Sequence, residues 1–140
     1  MNATELRPHQ ARNKANYLAA KAAYNARELD QCLAFYAREH QIMSRPAPPG
    51  REHLRAFLEE TIASWPDLRL EVAQAVAEDD WVMGRCVASA THRTAVMGVL
   101  PTGKEVVTTF WDLHRFDHAG LIVQTWNLMD GVAVMHQLRA

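Results

Sequence analysis

Apolar positions recur at helical spacing along the first part of the chain and alternate with polar ones along the second. From about Pro8 to Arg38, Ala15, Leu18, Ala19, Ala22 and Ala23 make a small-residue face, in a stretch rich in good helix formers. Asn25 and Asp30 mark a break, with Asp30 capping a second short helix, Gln31 to Arg38, that carries Leu33, Phe35 and Tyr36. His40 to Ser44 reads as a short strand. Arg45 to Gly50 holds three prolines and a glycine, which exclude regular structure. The next helix, Arg51 to Ser64, aligns Leu54, Phe57, Leu58 and Ile62 in one stripe and ends at Trp65-Pro66-Asp67.

Beyond that point the period changes to two. Leu68 to Ala77 alternates as a strand, and Glu78-Asp79-Asp80 turns the chain. Trp81 to Arg93 is the next strand; its small residues, Gly84, Ala88, Ser89 and Ala90, suit a bent or crowded sheet. Thr94 to Lys104 is a loop ending in the turn Pro101-Thr102-Gly103-Lys104. A long hairpin follows, from Glu105 to Asp130. Phe110, Asp112, His114 and Phe116 share one face of its first strand; Ile122, Gln124, Trp126, Leu128 and Asp130 share one face of its second. The tail from Gly131 to Ala140 extends the last strand or crosses the sheet.

Helices first and about four hairpin-linked strands after them predict a single α+β domain spanning residues 1–140. No helix-length segment separates the later strands, so parallel βαβ units are not expected. A curved antiparallel sheet with helices on one face encloses a cone, and the inside of a cone is a small-molecule pocket.

Composition narrows the partners. With 49% hydrophobic and 22% charged residues, the chain is that of an ordinary globular protein. A net charge of -1 and scattered basic residues (Arg7, Arg12, Lys14, Lys21) give no electrostatic case for nucleic acid or an anionic membrane. No apolar run approaches the roughly 18 residues that span a bilayer. The stretch MNATELRPHQARNK has no apolar signal core, so a cytoplasmic location is expected. The two cysteines, Cys32 and Cys86, lie far apart in apolar contexts and read as buried thiols.

Asp130 is the first candidate for chemistry. A strand-end carboxyl beside Trp126 and Leu128 has its proton affinity raised by desolvation, as an acid/base near neutral pH requires; the alternative is a strand-end Asp bonded to a turn amide. His114 is the second, within reach of the Gln124 and Trp126 region if the hairpin pairs across its turn. Asp112 on the same face could orient its imidazole. His92, His136, Tyr17, Tyr24, Asn25, Trp65 and Gln124 follow as pocket or core candidates. A metal is not expected, because neither His118 nor His92 completes a known ligand spacing around His114. Pro101 to Lys104 is a turn and not a phosphate loop, and no dinucleotide or nucleophile motif is present.

These pieces together resemble the SnoaL-like polyketide cyclases, within the nuclear transport factor 2-like superfamily, from about Tyr24 to Leu138. The matching stretches are Asn25-Ala26-Arg27-Glu28-Leu29-Asp30, Gly50-Arg51-Glu52, Trp65-Pro66-Asp67-Leu68 and Ala77-Glu78-Asp79-Asp80-Trp81-Val82. Further on are Ala90-Thr91-His92, Gly98 to Lys104, His114-Arg115-Phe116, Trp126 to Asp130 and His136-Gln137-Leu138. The resemblance implies a cone with a mixed sheet, usually dimerising through the sheet. It implies intramolecular aldol ring closure on a hydrophobic small molecule, without metal or organic cofactor. It maps the acid/base onto Asp130 and the strand histidine onto His114; beside them, Trp126, Gln124, Tyr17, Trp65 and His92 are read as the substrate-binding residues. The turn Asp117 to Ile122 is one residue longer than usual, and Gln124 stands where a glutamate is common. The same cone hosts isomerases, hydrolases, dehydratases and non-catalytic binding modules, which remain the alternatives.

Overall fold

A computed structural model describes residues 5–140; the first four residues of the stretch read above as lacking a signal core lie outside it. The elements in chain order are α1 (Pro8–Asn25), α2 (Leu29–Leu33), β1 (Tyr36–Ile42), α3 (Arg51–Ser64), β2 (Arg69–Glu78), β3 (Trp81–Thr91), β4 (Glu105–Phe116), β5 (Ile122–Met129) and α4 (Gly131–Arg139). The strands form one five-stranded sheet in the order β1-β5-β4-β3-β2. β2 to β5 pair antiparallel, and β1 joins β5 in parallel, so the sheet is mixed. Helix α1 packs on β2 and β3, α3 on β1, and α4 on β4. The expected α+β cone is present.

Three local expectations change. The segment read as a second helix to Arg38 is helical only over α2; Tyr36 to Ile42 is drawn into the sheet edge by β5, and Asp30 lies inside the short helix rather than capping it. The tail is a helix, with Asp130 as its N-cap. The third change decides the site. Arg115 pairs with Gln124 but Phe116 pairs with Ile122, so Val123 is an extra residue in β5. Such a bulge reverses the alternation beyond it. Ile122 and Thr125, three apart, both point into the core, whereas Gln124 and Trp126 turn to the outer face. β4 has no bulge, and Val106, Asp112, His114 and Phe116 are all buried on its inner face as its alternation predicts.

The main core joins Tyr17, Ala20, Tyr24, Leu33, Tyr36, Leu54, Val82, Cys86, Phe116 and Ile122. Close approach of α1 to β3 depends on Gly84. A Cβ there would stand 1.7 Å from the Tyr17 hydroxyl oxygen, so any side chain would displace the ring. Asn25 fixes the end of α1 to β2, donating to Leu70 O (2.8 Å) and accepting from Leu70 N (2.9 Å). Cys32 and Cys86 are both free and buried.

Candidate active site

A cavity of about 510 Å³ opens between the sheet and helices α1 and α3. Its wall is mainly apolar, including Tyr24, Leu54, Phe57, Trp65, Leu70 and Phe110. Such walls bind an apolar body and leave orientation to a few polar groups. One set of them converges at Asp112, while Arg45, Glu60 and Asn127 also line the wall.

Asp112 sits on the inner face of β4 with its carboxylate fully buried. Tyr17 from α1 donates its hydroxyl to Asp112 Oδ1 at 2.7 Å. Lys21, one helical turn further along, donates to Oδ2 and also lies over the Tyr17 and Phe110 rings. Lys21 keeps 13% side-chain exposure and lines the cavity, so its ammonium is a cation a ligand can meet there, as is the Arg45 guanidinium on the same wall. His114 Nε2 lies 3.3 Å from Asp112 Oδ2, within ion-pair distance although without the alignment of a full hydrogen bond. Nδ1 of His114 meets Thr125 Oγ1 at 2.8 Å, and the same oxygen is 2.8 Å from Nε2 of His40 on β1.

The charges follow from this packing. Burial alone would raise the Asp112 proton affinity, but Lys21 and then His114 more than offset it, and the carboxyl is held well below the usual range. Burial pulls Lys21 down, yet the Asp112 charge outweighs it and holds the ammonium above its ordinary value. His114 is lowered by burial, against the opposing pull of Asp112. His40 is lowered to about 3 by burial and by His114. Desolvation, with Asp112 adding to it, pushes the Tyr17 phenol far up. At neutral pH the cluster is one carboxylate, one ammonium, two neutral imidazoles and a neutral phenol. Lys21 is therefore a permanent cation and not a free amine nucleophile.

Of the residues expected from sequence, His114 and Tyr17 belong to this cluster, and Trp65 and Tyr24 line the cavity. Five others do not join them. Asp130 is exposed, and its Oδ1 accepts from Ala133 N at 3.0 Å as the cap of α4; it meets neither Trp126 nor His114. Trp126 stacks on Trp81 (centroids 5.7 Å apart) on the outer face, and Gln124 accepts there from Arg115 Nε at 2.7 Å. Both were turned outward by the Val123 bulge. His92 is buried behind Trp65, with Thr102 N donating to its Nδ1 at 3.1 Å, and lies outside the cavity wall. His136 is exposed on α4.

Sequence reasoning missed Lys21, Thr125 and His40 and gave Asp112 only a supporting part. Lys21 carries a usable signal. It follows Tyr17 by four positions and lies amid alanines, where α1 would otherwise bury only small apolar groups. Among the described residues no three His, Cys, Asp or Glu side chains converge as metal ligands, and no helix is long and apolar enough to cross a membrane.

The family model of the SnoaL-like polyketide cyclases matches residues 14–138. No protein of curated function matches the sequence. Among solved structures, IdmH of Streptomyces antibioticus, a candidate polyketide cyclase, is 30% identical with a TM-score of 0.80, over 91% of this chain and 99% of that one. AclR of Streptomyces galilaeus, a candidate hydroxylase, is 28% identical with a TM-score of 0.80, over 93% and 97%. A SnoaL-like protein of Jannaschia sp. CCS1 shares the fold with a TM-score of 0.86 at 20% identity, over 99% of each chain.

Proposed function

The chain belongs to the SnoaL-like polyketide cyclase family, and on that premise we propose that it is an acid/base enzyme acting on a hydrophobic carbonyl compound, closing a ring by intramolecular aldol chemistry. The observation that carries the reading is the buried Lys21–Asp112–His114 cluster at the edge of an apolar cavity. A carbonyl oxygen entering the cavity meets the Lys21 ammonium. As that ammonium turns toward the ligand, its pull on Asp112 weakens and the carboxylate regains basicity. Asp112 then takes the proton from the carbon α to the carbonyl, and Lys21 holds the enolate oxygen. The enolate carbon forms the new bond to a second carbonyl of the same molecule, and Asp112 returns its proton to the alkoxide. Protons balance, and the step uses only the chain's own side chains, without a cofactor. In this reading His114 is retained as a site residue, beside Asp112. Asp130, exposed and engaged as a helix cap, is replaced by Asp112 as the acid/base in this reading.

A homodimer through the outer sheet face is part of the proposal. Val87, Val107 and Trp111 are exposed there, beside the Trp81–Trp126 pair. Such an apolar surface is more than a monomer comfortably leaves in water. Leu128 and Met129, at the end of β5, line the cavity.

The test is α-hydrogen exchange into D2O, followed by NMR, for an aryl methyl ketone and a naphthyl β-keto ester. Wild type should accelerate exchange and Lys21→Met should not. Saturable binding without exchange would point to a non-catalytic binding module.

A further inference from the structure

Thr125 on β5 stands between two imidazoles, His114 on β4 and His40 on β1, at 2.8 Å from each. All three residues are 2% exposed or less. A threonine hydroxyl has one proton, so it donates to one ring and must accept from the other. Two directions are possible, and the far side of each ring selects between them.

On the His114 side, Nε2 lies 3.3 Å from Asp112 Oδ2. A lone pair there would face the carboxylate that Lys21 keeps ionised; an N–H is attracted to it. His114 therefore carries its proton on Nε2, and its Nδ1 accepts from Thr125. Thr125 in turn accepts from Nε2–H of His40. On the His40 side, Nδ1 is buried without a partner. In this direction it is a bare lone pair. In the reverse direction it would be a buried N–H with nothing to donate to, the kind of orphan folded proteins least tolerate. Both ends choose the same order: His40 Nε2–H to Thr125 Oγ1–H to His114 Nδ1. The T-shaped packing of Tyr36 on His40, with centroids 4.9 Å apart, holds the ring in that orientation.

We infer that His40 is a positioning residue that sets the tautomer of His114 through the Thr125 hydroxyl, so that His114 presents an N–H and not a lone pair to Asp112. Its functional meaning rests on Asp112 being the acid/base. An N–H beside the carboxylate steadies its ionised form between turnovers; a lone pair there would favour a protonated, idle carboxyl. The other groups facing His114 are Tyr17 and Lys21 from α1 and Tyr36 from β1, and none of them bonds its Nδ1. Among the described residues, the tautomer is set from that side through Thr125 alone.

Long-range 1H–15N correlation of the histidine rings at pH 7.5 reads the tautomers directly and needs no substrate. In wild type, His114 and His40 should each show a protonated Nε2 and a bare Nδ1. Thr125→Ser, which keeps the hydroxyl, should preserve the pattern. Thr125→Val and His40→Phe should shift the His114 resonances toward a mixture of tautomers. His114 protonated on Nδ1 in wild type would overturn the inference without any substitution. So would an unaltered His114 pattern in both Thr125→Val and His40→Phe, since Asp112 alone would then fix the ring. Wild type with the expected pattern but no catalysed α-hydrogen exchange would uphold the hydrogen-bond chain and sink the catalytic reading. The two failures are therefore separable.

Discussion

The Tyr17 hydroxyl reaches Asp112 Oδ1 at 2.7 Å through a gap that exists only because residue 84 is glycine. Helix α1 thereby delivers two of the three groups around the carboxylate, Tyr17 and Lys21. Gly84→Ala should destabilise the protein more than Tyr17→Phe does. The first displaces the ring from a close-packed core and breaks the hydrogen bond; the second removes only the hydroxyl, at about 1–3 kcal/mol for leaving a buried charged acceptor short of a donor. Urea unfolding of the two variants checks the order.

Acid should destabilise the fold before ordinary carboxylates titrate. His40 is lowered from 6.5 to about 3 in the folded state, so between those values the unfolded chain binds the extra proton. Stability is full above pH 6.5 and falls as the pH drops toward 3; His114, lowered by burial, acts in the same direction. Asp112, held below its ordinary value of 3.8, adds its own loss below about pH 4. At pH 5 the His40 contribution alone is about 2 kcal/mol, from 1.36 kcal/mol per pH unit. Unfolding free energies at pH 7.5 and pH 5 should show that drop in wild type, and a smaller one in His40→Phe.

Asp130 predicts a different signature. Asn is as good an N-cap as Asp, so Asp130→Asn should leave stability and turnover nearly unchanged, and Asp130→Ala should cost about 1 kcal/mol of stability. Thermal unfolding beside the exchange assay reads both.

The outer face should be separable from the cavity. Trp111 is 39% exposed on the outer face of β4 and takes no part in the cavity wall. Trp111→Asp should convert a dimer to a monomer in light scattering while the far-ultraviolet spectrum stays unchanged. A monomeric wild type at micromolar concentration would remove the dimer from the account.

Much of this fold was legible from the chain because its signals are local. Alternation placed β4, including the inward run from Phe110 to Phe116, and the apolar stripe of α3 bounded that helix at Arg51 and Ser64. β5 misled for a physical reason. Its period of two is written in the sequence, but the extra residue at Val123 is fixed by pairing with β4 and β1, and no local pattern announces it. That single offset moved Trp126 and Gln124 out of the site and brought Thr125 in. β1 was legible only at its end, from His40, and α4 not at all, because their state depends on partners, the β5 edge and the face of β4. Lys21 escaped notice because a lone lysine in a helix usually faces water; only the Asp112 carboxylate, 91 residues away, explains its burial.

In the proposed reaction Asp112, with its proton affinity governed by Lys21, is the acid/base of the cavity. The most direct test compares the α-hydrogen exchange turnover of Asp112→Asn with that of wild type, with ligand affinity measured alongside. Asn keeps the shape and can still accept from Tyr17, so the variant should fold and bind the aryl ketone. Its turnover should fall by about 10²-fold or more, the usual consequence of deleting a general acid/base. Asp112→Asn that binds and turns over like wild type would contradict the account, as would an equal loss in Asp130→Asn.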